Sequence, residues 1–462
     1  MKPLTLAEAA EAVSGRLVGG DTDTLIIGAT ADSREVTAGD LFVAINGDRV
    51  DGHDYAAEAY AAGASVVLAQ REVDGPAIVV ADPIIALGDL AKYLLSLLPN
   101  LDVVAVTGSS GKTTTKDLLA AVAASRGPVV APIGSFNTEV GLPLTVLRCD
   151  ESTQTLVLEM GARGQGHIQY LCDIAQPKVG VVLNVGSAHV GEFGSRDAIA
   201  TAKAELPGGL SSDGVAVLNA DDPRVATMTS PARQLTFGAS PAADVRIQRL
   251  RLDDQIRPRF ELTYRHERAD VQLRSAGEHQ ASNAAAVAAA SLALGMSFAD
   301  VVVGLESAEI VSRWRMEVRE TSSGITVIND AYNANPESMT AALKALAEFG
   351  RNRPTRTTWA VLGEMKELGD DTVAEHDRLG RLAVRLHIHR LIAVGEGARA
   401  LHLGAVQEGS WDGESEWVPD AAAAADVLRR AASAGDIVLV KASRAVGLEA
   451  VAEALLTEER SN

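Results

Sequence analysis

VVAVTGSSGKTTTK, residues 103–116, decides the architecture. An apolar run that suits a buried strand leads into Thr107-Gly108-Ser109-Ser110-Gly111-Lys112-Thr113, and a helix-forming run follows. A glycine-rich turn between strand and helix points backbone N–H groups inward, and the helix N-terminus adds partial positive charge. A lysine at this position reaches the outer phosphates of a polyphosphate, and the threonine hydroxyl can ligate Mg²⁺. The spacing Gly-x-x-Gly-Lys-Thr is two residues shorter than the common nucleotide loop. Gly108, Ser109, Ser110, Gly111, Lys112, Thr113 and Thr114 are therefore expected to hold phosphate.

Outward from this loop, TLVLEMGARG (155–164), KVGVVLNVGSAH (178–189) and VAVLNADDP (215–223) are further apolar runs, each ending in a polar cluster. Continuous apolar runs alternating with helices predict a parallel sheet covered on both faces. DVRIQRLRL, RFELTYRH and DVQLRS (within 233–275) alternate instead, which predicts an antiparallel hairpin layer added to that sheet. From Trp314 the strand-then-loop pattern resumes in GITVINDAYNANP, TWAVLGEM, RLIAVGEG and DIVLVKASR, predicting a second doubly wound sheet. Before the loop, short strands near residues 41–45, 65–69 and 77–81 and Ala-rich helices make a small α/β unit that Pro83 closes. The expected fold is α/β in three domains: a small N-terminal unit (1–83), a central phosphate-loop domain with a mostly parallel sheet (84–313), and a C-terminal Rossmann-like domain (314–462). Chemistry in such sheets gathers at the carboxyl ends of the strands, where the polar clusters lie.

Composition narrows the partners. The chain has 462 residues, 47% hydrophobic and 22% charged, as globular chains do. Net charge is 42 − 61 = −19, which disfavours general binding to nucleic acid or anionic membranes. Any phosphate must be held by local features. The two cysteines, Cys149 and Cys172, lack zinc spacing, and two free thiols in a reducing compartment is the expectation. Glu8 and Glu11 interrupt what would be a signal-peptide core, and the uncharged stretch from Ala284 to Ala299 is too short for a span and reads as a buried helix. A cytoplasmic monomer is expected.

Several residues carry candidate chemistry. Glu159 ends a strand beside the phosphate loop, where a carboxylate suits a hard Mg²⁺ ion. His189 ends the next polar cluster, and Lys203 lies on the helix after it; taken singly, a structural histidine and a solvated lysine are the commoner outcomes.

Together the segments resemble the Mur ligases, the ATP-dependent amide-forming ligases of peptidoglycan synthesis. The resemblance rests on GSSGKTTTK (108–116), EMGARGQG (159–166), NVGSAHVGEFGS (184–195), AKAE (202–205), GEHQASN (277–283), DAYNANPESM (330–339), GEMKELG (363–369) and KASR (441–444), with SREVTAGDLFVAINGDRVDGHDY (33–55) near the start. It implies that ATP activates the carboxylate of UDP-N-acetylmuramoyl-tripeptide as an acyl phosphate, which the amine of D-alanyl-D-alanine attacks. It also implies roles. Lys112 and Thr113 would bind ATP phosphates and Mg²⁺, and Glu159 and His189 would hold a second Mg²⁺. Lys203 falls where the family carries a carbamylated lysine. His279 and Asn283 would contact adenine, and Arg313 and Asp330 the nucleotide at the hinge. Asn137, Thr138, Asn333, Asn335 and Pro336 would meet substrate. Lys441, Ser443 and Arg444 would face the reacting end. Ser33, Arg34, Asp51, Gly52 and His53 would hold the uridine-diphosphate end. Gln280 replaces the asparagine common after His279. The third peptide residue, diaminopimelate or lysine, stays open. The competing readings are a folylpolyglutamate-type ligase, the ligase that adds the third peptide residue, and a nucleotide switch.

Overall fold

The apolar runs form strands that gather into three main sheets in the computed structural model, which describes residues 1–47, 50–187, 190–352, 355–409 and 414–457. The N-terminal sheet has five strands in the order Arg16–Val18, Ala77–Val79, Val66–Ala69, Asp40–Val43 and Gly28–Thr30, antiparallel only at its first pair. The helix Pro83–Ser96 follows. Asp82 caps it, accepting from Ile84 N at 2.8 Å, and Pro83 fits its first turn, where no N–H is needed. Its buried Leu87, Leu90 and Leu94 share one core with Leu6 of the N-terminal unit and with Leu147, Leu158 and Leu171 of the central one. That shared apolar surface fastens the two units together.

The central sheet has nine strands, ordered Glu267–Gln272, Pro258–Tyr264, Val245–Leu252, Arg233–Gly238, Val215–Asn219, Val179–Val182, Asp102–Thr107, Thr155–Glu159 and Val129–Val130. The expected antiparallel hairpin layer forms at one edge of this sheet, from Val245–Leu252, Pro258–Tyr264 and Glu267–Gln272. Arg233–Gly238, in the same stretch of sequence, pairs parallel with both its neighbours, and only the first two pairings of the row are antiparallel. The hairpins extend the same sheet edge to edge, since backbone groups at its open edge find partners there.

Behind this sheet, the Ala-rich stretch forms the helix Gln280–Ala293, fully buried from Ala284 to Ala290 and packed on the phosphate-loop helix Lys112–Ala123. Small side chains let the two helices approach closely, so the loop rests on a rigid support. The C-terminal sheet has six strands, ordered Glu317–Glu320, Thr326–Asn329, Ile437–Lys441, Thr358–Leu362, Arg390–Val394 and Ser415–Val418, parallel after the first pair. Strand order reverses beside Asp102–Thr107 and beside Ile437–Lys441, which opens a crevice at the carboxyl ends of each sheet.

Cys149 and Cys172 are free and buried, and burial pushes both thiols up to about 12. Among the described residues, no helix is long and apolar enough to cross a membrane.

Candidate active site

The phosphate loop leaves Asp102–Thr107 and turns into its helix at Gly111, where φ is +82° and a Cβ would meet Asn283 Oδ1 at 2.7 Å. Glycine is therefore required by both backbone angle and space. The loop is braced from the neighbouring strand end: Ser109 N and Ser110 N donate to Asn184 Oδ1 at 3.0 and 2.9 Å. Lys112 Nζ donates to Gly108 O at 2.8 Å. Burial pushes the Lys112 ammonium below the usual lysine range, against the pull of Glu159. A cation held so poorly by water is ready for phosphate charge.

Glu159 is 1% exposed and sits at the end of its strand. Its carboxylate accepts from Thr113 Oγ1 at 2.8 Å, Ser135 Oγ at 2.9 Å and Asn137 Nδ2 at 2.7 Å. A buried carboxylate beside a threonine hydroxyl offers the hard oxygen donors that suit Mg²⁺. The expected His189 lies outside the described residues. Among the described residues, no group of three or more His, Cys, Asp or Glu is placed to hold a metal. The pair Thr113 and Glu159 is thus the metal-ready part of this site.

The C-terminal sheet supplies the opposite wall. One cavity of about 330 Å³ is lined by the phosphate loop, Thr114, Glu159, His279 and Asn283 on one side and by Asp330, Asn333, Asn335 and Lys441 on the other. Lys441 is 2% exposed and donates to Asp330 Oδ2 at 2.6 Å and Asn333 O at 2.8 Å. Burial pushes its ammonium down, with Asp330 opposing. Asn335 Nδ2 donates to Ser109 O at 3.2 Å, so the C-terminal domain touches the loop directly. Pro336 opens the helix Pro336–Asn352. Gln280 joins the two expected adenine contacts: Asn283 Nδ2 donates to its Oε1 at 2.9 Å, and its Nε2 lies 3.1 Å from His279 Nε2.

Two expected arginines stand elsewhere. Arg313 and Arg444 both lie over the Trp314 ring, 5.4 and 4.4 Å from its centre, and pair with Glu453 and Glu449. Arg315 lines the first cavity instead, donating to Thr113 Oγ1 at 2.9 Å and lying over Tyr332. The physical reason is local. Trp314 and Met316 both have positive φ, 59° and 50°, so side chains here do not follow strand alternation. Ser443 is also turned inward: it is 4% exposed, and its Oγ accepts from Lys366 N at 2.9 Å.

A second cavity, of about 440 Å³, adjoins the first. Lys112 and Asn137 line both. Thr138, Arg163, His167 and Lys203 line the second, with Ile84 and Ile85 from the helix Pro83–Ser96. Lys203 is 6% exposed on the helix Arg196–Gly208, and burial, with Lys112 second, pushes its ammonium down to about 7. On the same helix, Glu205 accepts from Gly166 N at 2.6 Å and Gln169 N at 3.0 Å, which fixes the wall of this cavity.

The N-terminal candidates line neither cavity. Ser33 and Arg34 follow the strand Gly28–Thr30, and Arg34 is held by Asp32 at 2.6 Å. Asp51 accepts from His53 N and Arg71 Nη1, both at 2.9 Å, and hydrogen bonds led by that of His53 N hold its carboxyl down at about 2. His53 Nε2 accepts from Gln70 N at 2.9 Å. Gly52 permits the turn, because a Cβ would meet Ile45 N and O at 2.6 Å.

Sequence reasoning gave no role to Ser135, Asn184, Glu337 or Arg315. Ser135 and Asn184 sit inside quoted or adjoining polar clusters, but nothing in their spacing marks which atom they meet.

These features define a nucleotide-using enzyme of a particular class, and the chain belongs to the Mur ligase family. The descriptions "Mur ligase family, catalytic domain", "Mur ligase middle domain" and "Mur ligase, glutamate ligase domain" match residues 26–95, 106–291 and 314–444. It is an ATP-dependent ligase that forms carbon–nitrogen bonds. It is 49% identical over 467 residues to the UDP-N-acetylmuramoyl-tripeptide–D-alanyl-D-alanine ligase of Mycobacterium tuberculosis strain H37Rv, covering 93% of this chain and 92% of the relative. The ligase of that name from Escherichia coli K12 is 32% identical, with 98% and 99% covered. A crystal structure of MurF from Acinetobacter baumannii superposes with a TM-score of 0.89 at 33% identity, covering 99% of each chain. The MurF ligase of Thermotoga maritima in complex with ADP gives 0.80 at 32%, covering 93% of this chain and 97% of that one.

Proposed function

We propose that this chain joins D-alanyl-D-alanine to the carboxyl end of UDP-N-acetylmuramoyl-tripeptide in peptidoglycan synthesis, using ATP. One observation carries the reading: Lys112 lines both cavities. A triphosphate lying along the loop would present its outer phosphate where a carboxylate from the second cavity can reach it. The likeness to ligases of that name over nearly the whole chain supports the choice of substrates.

In the first step a carboxylate oxygen attacks the γ-phosphorus and the bond to ADP breaks. In the second the dipeptide amine attacks the acyl carbon and phosphate leaves with the shared oxygen. Anionic charge builds in both steps. Lys112 and the loop N–H groups are preorganised to stabilise it. Mg²⁺, when bound, would neutralise phosphate charge and polarise the phosphoryl oxygens. Thr113 and Glu159 are the residues that would hold it, and a second ion through His189 belongs to the same proposal. Lys441 and Asp330 form a fixed wall that orients the nucleotide, with His279 and Asn283 at the adenine end. Asn333, Asn335, Pro336 and Ser443 shape the opposite loops. Ser33, Arg34 and the Asp51–His53 turn stand at carboxyl ends of N-terminal strands, where a uridine diphosphate would dock. Residues 1–83, 84–313 and 314–462 then act as the substrate, ATP and amine-side domains of a cytoplasmic monomer.

Lys203 fits a carbamate. A neutral amine adds CO₂ and loses a proton, giving an anion, and burial favours the neutral amine here. That anion could support Mg²⁺ where an ammonium would repel it.

The test is ADP release with each candidate tripeptide nucleotide. Release that depends strictly on both the tripeptide and the dipeptide is expected. Steady release without them would make the chain a nucleotide switch.

A further inference from the structure

We infer that Glu337 is a positioning residue that sets the phosphate loop from the C-terminal domain. The inference rests on the nucleotide reading of that loop. Glu337 lies in the first turn of the helix Pro336–Asn352, across the domain boundary from the loop. Its carboxylate accepts from Ser187 N at 2.8 Å and Ser187 Oγ at 3.0 Å. Arg196 Nη2 stands 3.7 Å away. The fit is close, since a Cβ on Gly186 would meet the Glu337 carboxyl carbon at 2.6 Å.

The segment that Glu337 grips is the one that braces the loop. Gly186 N donates to Ser109 Oγ at 2.9 Å, and Asn184 Oδ1 accepts from Ser109 N and Ser110 N. Two residues before Glu337, Asn335 Nδ2 donates to Ser109 O. The C-terminal domain thus reaches Ser109 by two routes, one direct and one through residues 184–187. Charge-assisted hydrogen bonds are the strong kind, so Glu337 holds the second route firmly. Glu337 also lines the first cavity, where Ser187 and Arg196 partner its carboxylate. Docking of the C-terminal domain and the shape of the phosphate loop are therefore one event.

The test is a double-mutant cycle read by ADP binding calorimetry and by steady-state kinetics on the full chain. Glu337→Ala is expected to weaken ADP binding and raise the KM for ATP by roughly tenfold or more. The KM for the tripeptide nucleotide should change little. Glu337→Gln keeps a carbonyl oxygen that can accept from Ser187 and should retain most of the affinity. Ser187→Ala should be partly impaired and add little to Glu337→Ala. Additive effects, a Gln variant as impaired as Ala, or ADP affinity unchanged in Glu337→Ala would each overturn the inference. ADP binding needs neither peptide substrate. Failure of the ligase reading, seen as wild-type ADP release that ignores the peptides, is thus a separate result.

Discussion

At the residue scale, the legible positions are those whose chemistry restricts residue type. Only glycine fits at 111, the lysine after it suits phosphate charge, and a carboxylate at 159 needs donors around it. Lys112→Ala should lower kcat by at least about 10²-fold, the scale for losing one preorganised stabiliser; turnover near wild type in steady-state assays would remove Lys112 from the chemistry. Lys203→Ala should be inactive and partly rescued by short carboxylic acids. With the Lys203 pKa near 7, the neutral amine is the minor form below that pH and the major form above it. CO₂-dependent activity should therefore rise with pH through about 7 at fixed dissolved CO₂. Full activity in CO₂-free buffer without added acids would contradict the carbamate. Arg313 and Arg315 were not separable from sequence, because both flank Trp314 and the positive φ of Trp314 and Met316 resets which side each faces. Glu337 was equally hidden, since its partner Ser187 is 150 residues away.

At the element scale, strand and helix identity was readable from periodicity, because buried parallel strands are continuously apolar and the Ala-rich run has no polar face. Periodicity misses the pairing direction at one strand. Arg233–Gly238 looks like the hairpin strands that follow it, yet its register is parallel with Val215–Asn219. The connection that brings it back, not its side chains, decides that. The helix Gln280–Ala293 is where packing is least forgiving, since Ala288 and its neighbours are fully buried against the helix bearing the phosphate loop. Ala288→Leu should cost about 1–3 kcal/mol by overpacking, read as a lower urea midpoint with unchanged slope. A midpoint equal to wild type would show that this interface can yield.

At the scale of the whole molecule, the three sheets explain why the site could be guessed in parts but not assembled. Its walls come from carboxyl ends of two sheets, and the neighbouring cavity is closed by a helix whose core is shared with the first unit. Such convergence depends on how domains dock, which local pattern does not encode. Substrate-driven closure would also exclude water from a reactive acyl phosphate. Small-angle scattering should give a smaller radius of gyration with nucleotide and tripeptide nucleotide than without; an identical radius in all states would count against closure. The central claim is that one oxygen of the substrate acid passes to phosphate. It is tested most directly by labelling both carboxylate oxygens of the tripeptide terminus with ¹⁸O and analysing the released phosphate by mass spectrometry. One labelled oxygen per phosphate is the predicted result, and phosphate free of label while amide accumulates would contradict it.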